Sequence, residues 1–294
     1  MYYSNYSNIA MISVGIVGLG FVGGAALKSF TLKGAHVKAF DKYKDGGVGS
    51  IDDVLQCQIV FLCLPTLYSE DLKAYDKSAI KEVCGQLEQH CFGGLVVVKS
   101  TVEPETTNKL TDEFPLLRIA HNPEFLTART AFEDFHNQDH IVLGKGPKAT
   151  KEDMELLRSF YATHYPEAKI SMCTAVESES MKIMCNSFYA SKVMLFNEYY
   201  LLCKKNGADF ETIRELMLAN NWINPMHTLV PGPDAKLGYG GACFPKDTNA
   251  LYNYMKSLKS TCKVLESVIE ERNMLRDDNT NVISLNEQIL SINE

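Results

Sequence analysis

Residues 238–247 read Gly-Tyr-Gly-Gly-Ala-Cys-Phe-Pro-Lys-Asp. A glycine run lets the backbone take positive φ and lets another molecule come close. Cys243, directly behind such a run, is therefore a candidate nucleophile; a tight turn whose cysteine packs inside is the other reading of the same residues. A second run, Gly18-x-Gly20-x-x-Gly23, stands between an apolar stretch at 12–17 and a helix-like one, with Asp41 at the end of the next apolar stretch. In that setting Gly18 permits a tight turn, Gly20 lets a pyrophosphate approach the backbone, and Gly23 lets the helix pack on the strand. Unpaired N–H groups at the helix start favour a diphosphate. Asp41 would accept hydrogen bonds from adenosine ribose hydroxyls, and its charge would repel a 2′-phosphate, so NAD is expected rather than NADP. His136 and His140 stand four apart, but no glutamate follows His136 and the segment does not read as a helix, so no metal site is expected.

The elements that must position these residues follow from the hydrophobic pattern. Residues 12–17, 36–40, 58–63, 94–98, 117–120, 139–143 and 170–173 read as strands, several too uniformly apolar to face solvent. Separated by helix-like segments, they predict an α/β fold with a doubly wound parallel sheet, the Rossmann arrangement. From Ala175 to Lys205 there is no proline or glycine, and Met181, Met184, Cys185, Phe188, Val193, Phe196 and Leu201 recur at helical spacing until Asn206-Gly207. One helix of about 45 Å is expected there. Further helices are expected over 210–219 and about 247–275, with a Pro/Gly-rich loop at 223–247 between them. The expected plan is a tail at 1–11, a Rossmann domain at 12–173, an all-α domain with a long central helix at 174–276, and a tail at 277–294. That last tail reads as a final helix or a frayed end.

The chain has 294 residues, 46% hydrophobic and 22% charged, the composition of a globular protein of about two domains. Its formal net charge is −7 and its 29 basic residues form no run, so neither nucleic acid nor an anionic membrane surface is an expected partner. No apolar stretch has membrane-spanning length, and the start lacks the basic and apolar regions of a signal peptide. The nine cysteines include no CxxC pair, as expected where thiols stay reduced. A cytoplasmic location is expected.

The ordered series CLPT (63–66), KSTVEPETT (99–107), HNPEFL (121–126), Lys182-x-x-x-Asn186, FNE (196–198) and GYGGACFPKD resembles the UDP-glucose dehydrogenase family. Those enzymes oxidise the C6 alcohol of a nucleotide sugar to a carboxylate. The resemblance runs from about Ile12 to Asn273, and the residues around Cys243 look most like the UDP-glucose branch. It implies NAD as cofactor, held by Gly18, Gly20, Phe21, Val22, Gly23, Asp41, Pro65, Thr66 and Thr101. It implies a UDP-sugar substrate touched by Phe125, Leu126, Lys182, Asn186, Tyr239 and Gly240, and a homodimer through the 175–205 helix. Cys243 matches the family nucleophile, Glu124 the base for thioester hydrolysis, and Thr101 and Asp247 the residues that position water. Of Lys182 and Asn186, one helical turn apart, the first would take the proton of the alcohol or stabilise the developing alkoxide, and the second would donate to the oxyanion. The glycines before Cys243 are expected to make room for the sugar ring.

Three positions depart from the family pattern. Ala128 stands where a second glutamate is usual, VEPETT replaces a proline-glycine loop after Thr101, and His227 stands where an arginine usually reaches a neighbouring subunit. A third domain of the family has no counterpart after Asn273, which reads as either a minimal form or a truncated product. Two other functions fit parts of the pattern. One is a two-electron β-hydroxyacid dehydrogenase, which shares the plan and a Lys/Asn pair but has no use for a thioester. The other is a catalytically silent NAD-binding or assembly partner.

Overall fold

The computed structural model describes residues 12–276. In chain order the elements are β1 Ser13–Val17, α1 Phe21–Leu32, β2 His36–Phe40, α2 Ile51–Leu55, β3 Ile59–Leu62, β4 Tyr68–Ser69, β5 Ala74–Tyr75, α3 Ser78–Gln89, β6 Leu95–Val98, α4 Thr106–Glu113 and β7 Arg118–His121. They continue with α5 Ala131–His136, β8 His140–Lys145, α6 Lys151–His164, β9 Lys169–Thr174, α7 Ala175–Asn206, α8 Phe210–Leu218, α9 Phe244–Ser257 and α10 Lys263–Leu275. The tails at 1–11 and 277–294 lie outside the described residues. The chain divides into two compact units, 12–66 with 77–180 and 67–76 with 181–276, so the boundary falls inside α7.

The first unit is built on a seven-stranded sheet in the order β2-β1-β3-β6-β7-β8-β9. All four residues of β3 and of β6 are buried, as strands covered on both faces must be. Alternate side chains of one strand feed opposite layers. Ile59, Phe61, Leu95 and Val97 join the core that holds Phe30 of α1, while Val60, Leu62, Val96 and Val98 join the core that holds Leu87 of α3. The pairing is parallel from β2 to β7, but β8 runs antiparallel to β7, and β9 parallel to β8. The parallel sheet read from the sequence is therefore mixed at one side. Because β8 starts at the end of the sheet where β7 finishes, no crossover helix is needed between them; α5, in the intervening segment, packs Phe135 beside Phe30 of α1.

The second unit contains the β4–β5 pair, most of α7, and α8 to α10. The long helix ends as expected, with Gly207 at φ +77 donating its N–H to Cys203 O at 3.0 Å. The single helix expected over 247–275 is instead two, α9 and α10. The break has no glycine or proline. Lys259 takes φ +55, its N–H bonds to Lys256 O at 3.0 Å, and the N–H of Ser260 bonds to Met255 O at 2.9 Å. That is a Schellman stop with lysine in the left-handed position usually held by glycine.

Candidate active site

In the first unit the chain leaves β1 and β3 side by side and turns in opposite directions, to β2 and to β6, which is where open α/β sheets bind ligands. The glycines of the first turn answer to different needs. A Cβ on Gly18, which has φ +89, would lie 2.4 Å from Cys63 O, and one on Gly23 would lie 1.8 Å from Gly18 O. These two allow β1, the end of β3 and α1 to pack. A Cβ on Gly20 would meet nothing within 4 Å, so that glycine leaves open space at the N-cap of α1. Phe21 and Val22 form the first turn of the helix, with Phe21 exposed.

Asp41 closes this corner. One carboxylate oxygen accepts from Leu19 N at 2.6 Å, and the other accepts from Tyr43 N and Lys44 N, both at 2.9 Å. Lys44 Nζ donates to Leu19 O at 2.8 Å. Burial works to raise the Asp41 pKa, but the three N–H groups and the Lys44 charge outweigh it and hold the carboxyl below the usual range. A charged Asp41 beside an open helix N-terminus fits a diphosphate with an unsubstituted ribose.

The ends of β3 and β6 are tied by hydroxyls. Ser100 Oγ accepts from Leu64 N at 3.0 Å and donates to Leu64 O at 2.6 Å, and Thr66 Oγ1 donates to Thr101 O at 2.8 Å. Pro65 is exposed, whereas Thr66 and Thr101 are buried. The VEPETT loop then turns through Glu105 at φ +72, and Glu103, nearly buried, pairs with Lys77 Nζ at 2.8 Å. Glu179 of α7 closes it, accepting from Thr107 N at 2.7 Å and from Thr107 Oγ1 at 2.6 Å. At the end of β7, Asn122 Oδ1 accepts from the buried Lys99 Nζ at 2.9 Å while its Nδ2 donates to Val142 O at 2.8 Å. Glu124, two residues on, is half-buried and accepts from Leu126 N at 2.6 Å. Phe125 is exposed and stacks on His140, and Leu126 packs on the core. Ala128 and Arg129 open an exposed 3-10 turn.

In the second unit Asp247 is the hub. It is fully buried and accepts from Asn186 Nδ2 at 2.6 Å, from Lys246 Nζ at 2.5 Å and from the Tyr75 hydroxyl. Lys246 Nζ also sits 4.6 Å from the Tyr75 ring centroid. Lys182 and Asn186 are buried on one face of α7, 4% and 8% exposed. Cys243 is exposed and is the N-cap of α9, with its carbonyl accepting from Asp247 N at 3.0 Å. Its position is unlike that of Cys63 and Cys84, whose thiols burial pushes up to about 12. A helix N-terminus favours negative charge, which suits a thiolate. Tyr239 is buried, its hydroxyl 3.3 Å from Thr248 Oγ1, and the place a side chain on Gly240 would take is filled by Arg276. His227 has φ +64 and packs its ring 5.1 Å from Tyr189 and 5.3 Å from Phe244. Burial, and then Lys192, lower its pKa.

Sequence reasoning missed Tyr75, which precedes Asp247 by 172 positions and carries no local signal. It quoted FNE without a role. There, Asn197 is buried and its Oδ1 accepts from Gly238 N at 2.9 Å. Among the described residues no cluster of His, Cys, Asp and Glu is arranged to hold a metal, and His136 and His140 each meet a different serine, Ser29 and Ser171.

A model of the NAD binding domain of the UDP-glucose/GDP-mannose dehydrogenase family matches residues 48–164, and a model of that family's central domain matches residues 176–273. The chain belongs to this dehydrogenase family. The UDP-glucose 6-dehydrogenase of Rickettsia prowazekii (strain Madrid E) is 36% identical over 219 residues, covering 71% of this chain and 46% of that protein. The solved UDP-glucose dehydrogenase from the hyperthermophilic archaeon Pyrobaculum islandicum superposes with a TM-score of 0.80 at 25% identity, over 93% of this chain and 70% of that one. Mycobacterium tuberculosis 3-hydroxyisobutyrate dehydrogenase gives 0.70 at 15% identity over 97% and 100% of the two chains, a likeness of fold alone. The chain spans about half the length of the curated relatives it matches. The NAD-domain match begins at residue 48, after Gly18–Gly23 and Asp41. No helix of this family member's described residues is long and apolar enough to cross a membrane.

Proposed function

We propose that the chain carries out the NAD-dependent, four-electron oxidation of UDP-glucose to UDP-glucuronate through Cys243. The observation that carries the reading is an exposed cysteine at the N-cap of α9, one helical turn before a buried carboxylate that also orients the Asn186 amide. Family membership supports the substrate class.

NAD, when bound at Gly18–Gly23 and Asp41, supplies a hydride acceptor. Lys182 takes the proton of the C6 hydroxyl or stabilises the alkoxide in the first oxidation. The Cys243 thiolate then adds to the aldehyde carbon, forming a C–S bond and a thiohemiacetal whose oxygen becomes a hydroxyl. Loss of the carbon-bound hydride, for which a second NAD would be the acceptor, and of the hydroxyl proton would turn that adduct into a thioester. An amide nitrogen has two hydrogens; Asp247 takes one of Asn186, and the other serves the developing oxyanion. Water, activated by Glu124 and positioned by Thr101 and Asp247, cleaves the C–S bond to release the carboxylate and the thiol. Phe125, Leu126 and Tyr239 shape the sugar's surroundings. A β-hydroxyacid dehydrogenase stops after one oxidation and gives Cys243 nothing to do.

A second copy of the chain is the proposed partner, through α7. Met184, Phe188, Leu195 and Leu202 of that helix are about half exposed or more, an apolar face of the kind that marks an interface. The test of function is to incubate the purified chain with NAD and UDP-glucose and identify the sugar by mass spectrometry. UDP-glucuronate is expected; an aldehyde or ketone product would refute the reading.

A further inference from the structure

Leu237, Gly238 and Tyr239 begin the stretch that leads to Cys243, and their three consecutive carbonyls accept hydrogen bonds from side chains of one helix end. Arg276 Nη1 donates to Leu237 O at 3.2 Å and to Gly238 O at 3.3 Å, and Arg272 Nε donates to Tyr239 O at 3.1 Å. Arg276 Nη2 also reaches Asp234 Oδ2 at 2.5 Å. The two arginines are one turn apart at the C-terminus of α10 and are only 4% and 7% exposed. The N–H of Gly238 is held from the other direction by Asn197 of α7. Buried guanidinium groups are costly unless their donors are satisfied, and the backbone of the cysteine loop is among the groups that satisfy them here.

The glycines of that loop carry a matching signature. A Cβ on Gly240 would fall 2.6 Å from Arg276 Nη2 and 2.8 Å from its Cζ, far inside contact distance. On Gly238 it would lie 3.4 Å from Arg276 Cγ and Cδ. Gly240 does not have a positive φ, so its backbone tolerates a side chain, and the three atoms nearest to a Cβ there all belong to the guanidinium.

We propose that Arg276, assisted by Arg272, is the positioning residue for Cys243, and that Gly240 is glycine in order to admit the Arg276 guanidinium rather than the sugar. Arg276 fixes the backbone of 237–240 so that the N-cap of α9, and with it the Cys243 sulfur, stands at a set point. A lysine cannot replace it, because one ammonium lacks the planar fork that serves Leu237, Gly238 and Asp234 together. The effect on turnover rests on the reading of Cys243 as nucleophile; the packing relation between Arg276 and Gly240 does not.

The experiment is a double-mutant cycle on the full chain, with thermal unfolding as the first readout. Gly240→Ala is expected to lower the midpoint in the native background and to lower it by less than half as much beside Arg276→Ala. If Arg276→Ala does not fold, Arg276→Met serves in the same cycle. An equal drop in both backgrounds would overturn the proposal and return Gly240 to the substrate. The second readout is steady-state turnover. Arg276→Ala is expected to lower kcat about ten- to a hundredfold with the KM for NAD unchanged, the loss expected for a misplaced reacting group. Added guanidinium chloride should recover part of kcat where the same concentration of sodium chloride does not. Arg276→Lys should not recover it. Unchanged kcat in Arg276→Ala would overturn the positioning role. If the parent chain itself oxidises no UDP-sugar, the proposed function fails while the unfolding cycle still decides whether Arg276 holds the loop.

Discussion

Asp41 ties the glycine turn into the fold and is the proposed acceptor for the cofactor's ribose. Its hydrogen bonds to Leu19 and to Tyr43 and Lys44 join the glycine turn to the chain after β2, and in the proposed function its charge repels a 2′-phosphate. Asp41→Ala is therefore expected to weaken NAD binding about tenfold and to raise the relative affinity for NADP. Titration of both cofactors checks this, and unchanged affinities for the two would contradict it. Cys243→Ala is expected to abolish carboxylate formation while NAD binding persists, since in the proposed mechanism the thiol acts on the sugar carbon. UDP-glucuronate made at the parental rate would make the cysteine structural. The Gly18–Gly23 turn and the Lys182/Asn186 spacing were legible because both signals are local: one needs positive φ and close approach, the other one helical turn. Tyr75 and Asn197 were illegible because each acquires its role only when distant segments meet. Arg272 and Arg276 carry no local signal either, and only their burial shows what they hold.

Among the elements, α4 depends on a residue it does not contain. Its own N-cap, Glu105, makes no capping bond with its side chain, and Glu179 of α7 supplies the acceptor instead. Burial pushes the Glu179 carboxyl up to about 7 against the hydrogen bonds from Thr107, Glu105 and Thr106. The folded state thus favours the protonated acid. Its contribution is fully present below the usual carboxylate pKa and is lost as pH rises through about 7, with an upper magnitude of about 3 kcal/mol. The thermal midpoint should fall between about pH 5 and pH 8, and Glu179→Gln should flatten that fall. An identical pH profile in the variant would contradict the assignment. The break between α9 and α10 gives a second prediction. Lys259→Gly should stabilise the protein by about 1 kcal/mol, read by urea unfolding, because glycine takes the left-handed conformation without the Cβ penalty. The missed break also shows why element boundaries outrun sequence reading: lysine in a Schellman stop leaves no mark in the composition, whereas Asn206-Gly207 marks the end of α7 plainly.

At the scale of the molecule, the alternation of apolar strands with helices made the sheet legible, strand by strand, while the reversal of β8 was not, since apolar strands look alike in either direction. The long helix was legible from an uninterrupted run, and its exposed apolar face now carries the proposal of a dimer. Phe188 is 64% exposed on that helix. Phe188→Glu should shift the chain from dimer to monomer in analytical ultracentrifugation with little change in secondary structure; a monomeric parent would refute the interface. The central claim is that Cys243 tethers the sugar between two oxidations. Its most direct test is the number of NADH molecules formed for each UDP-glucose consumed by the purified chain. Four-electron chemistry through a thioester predicts a ratio near two, and a ratio of one would contradict the account.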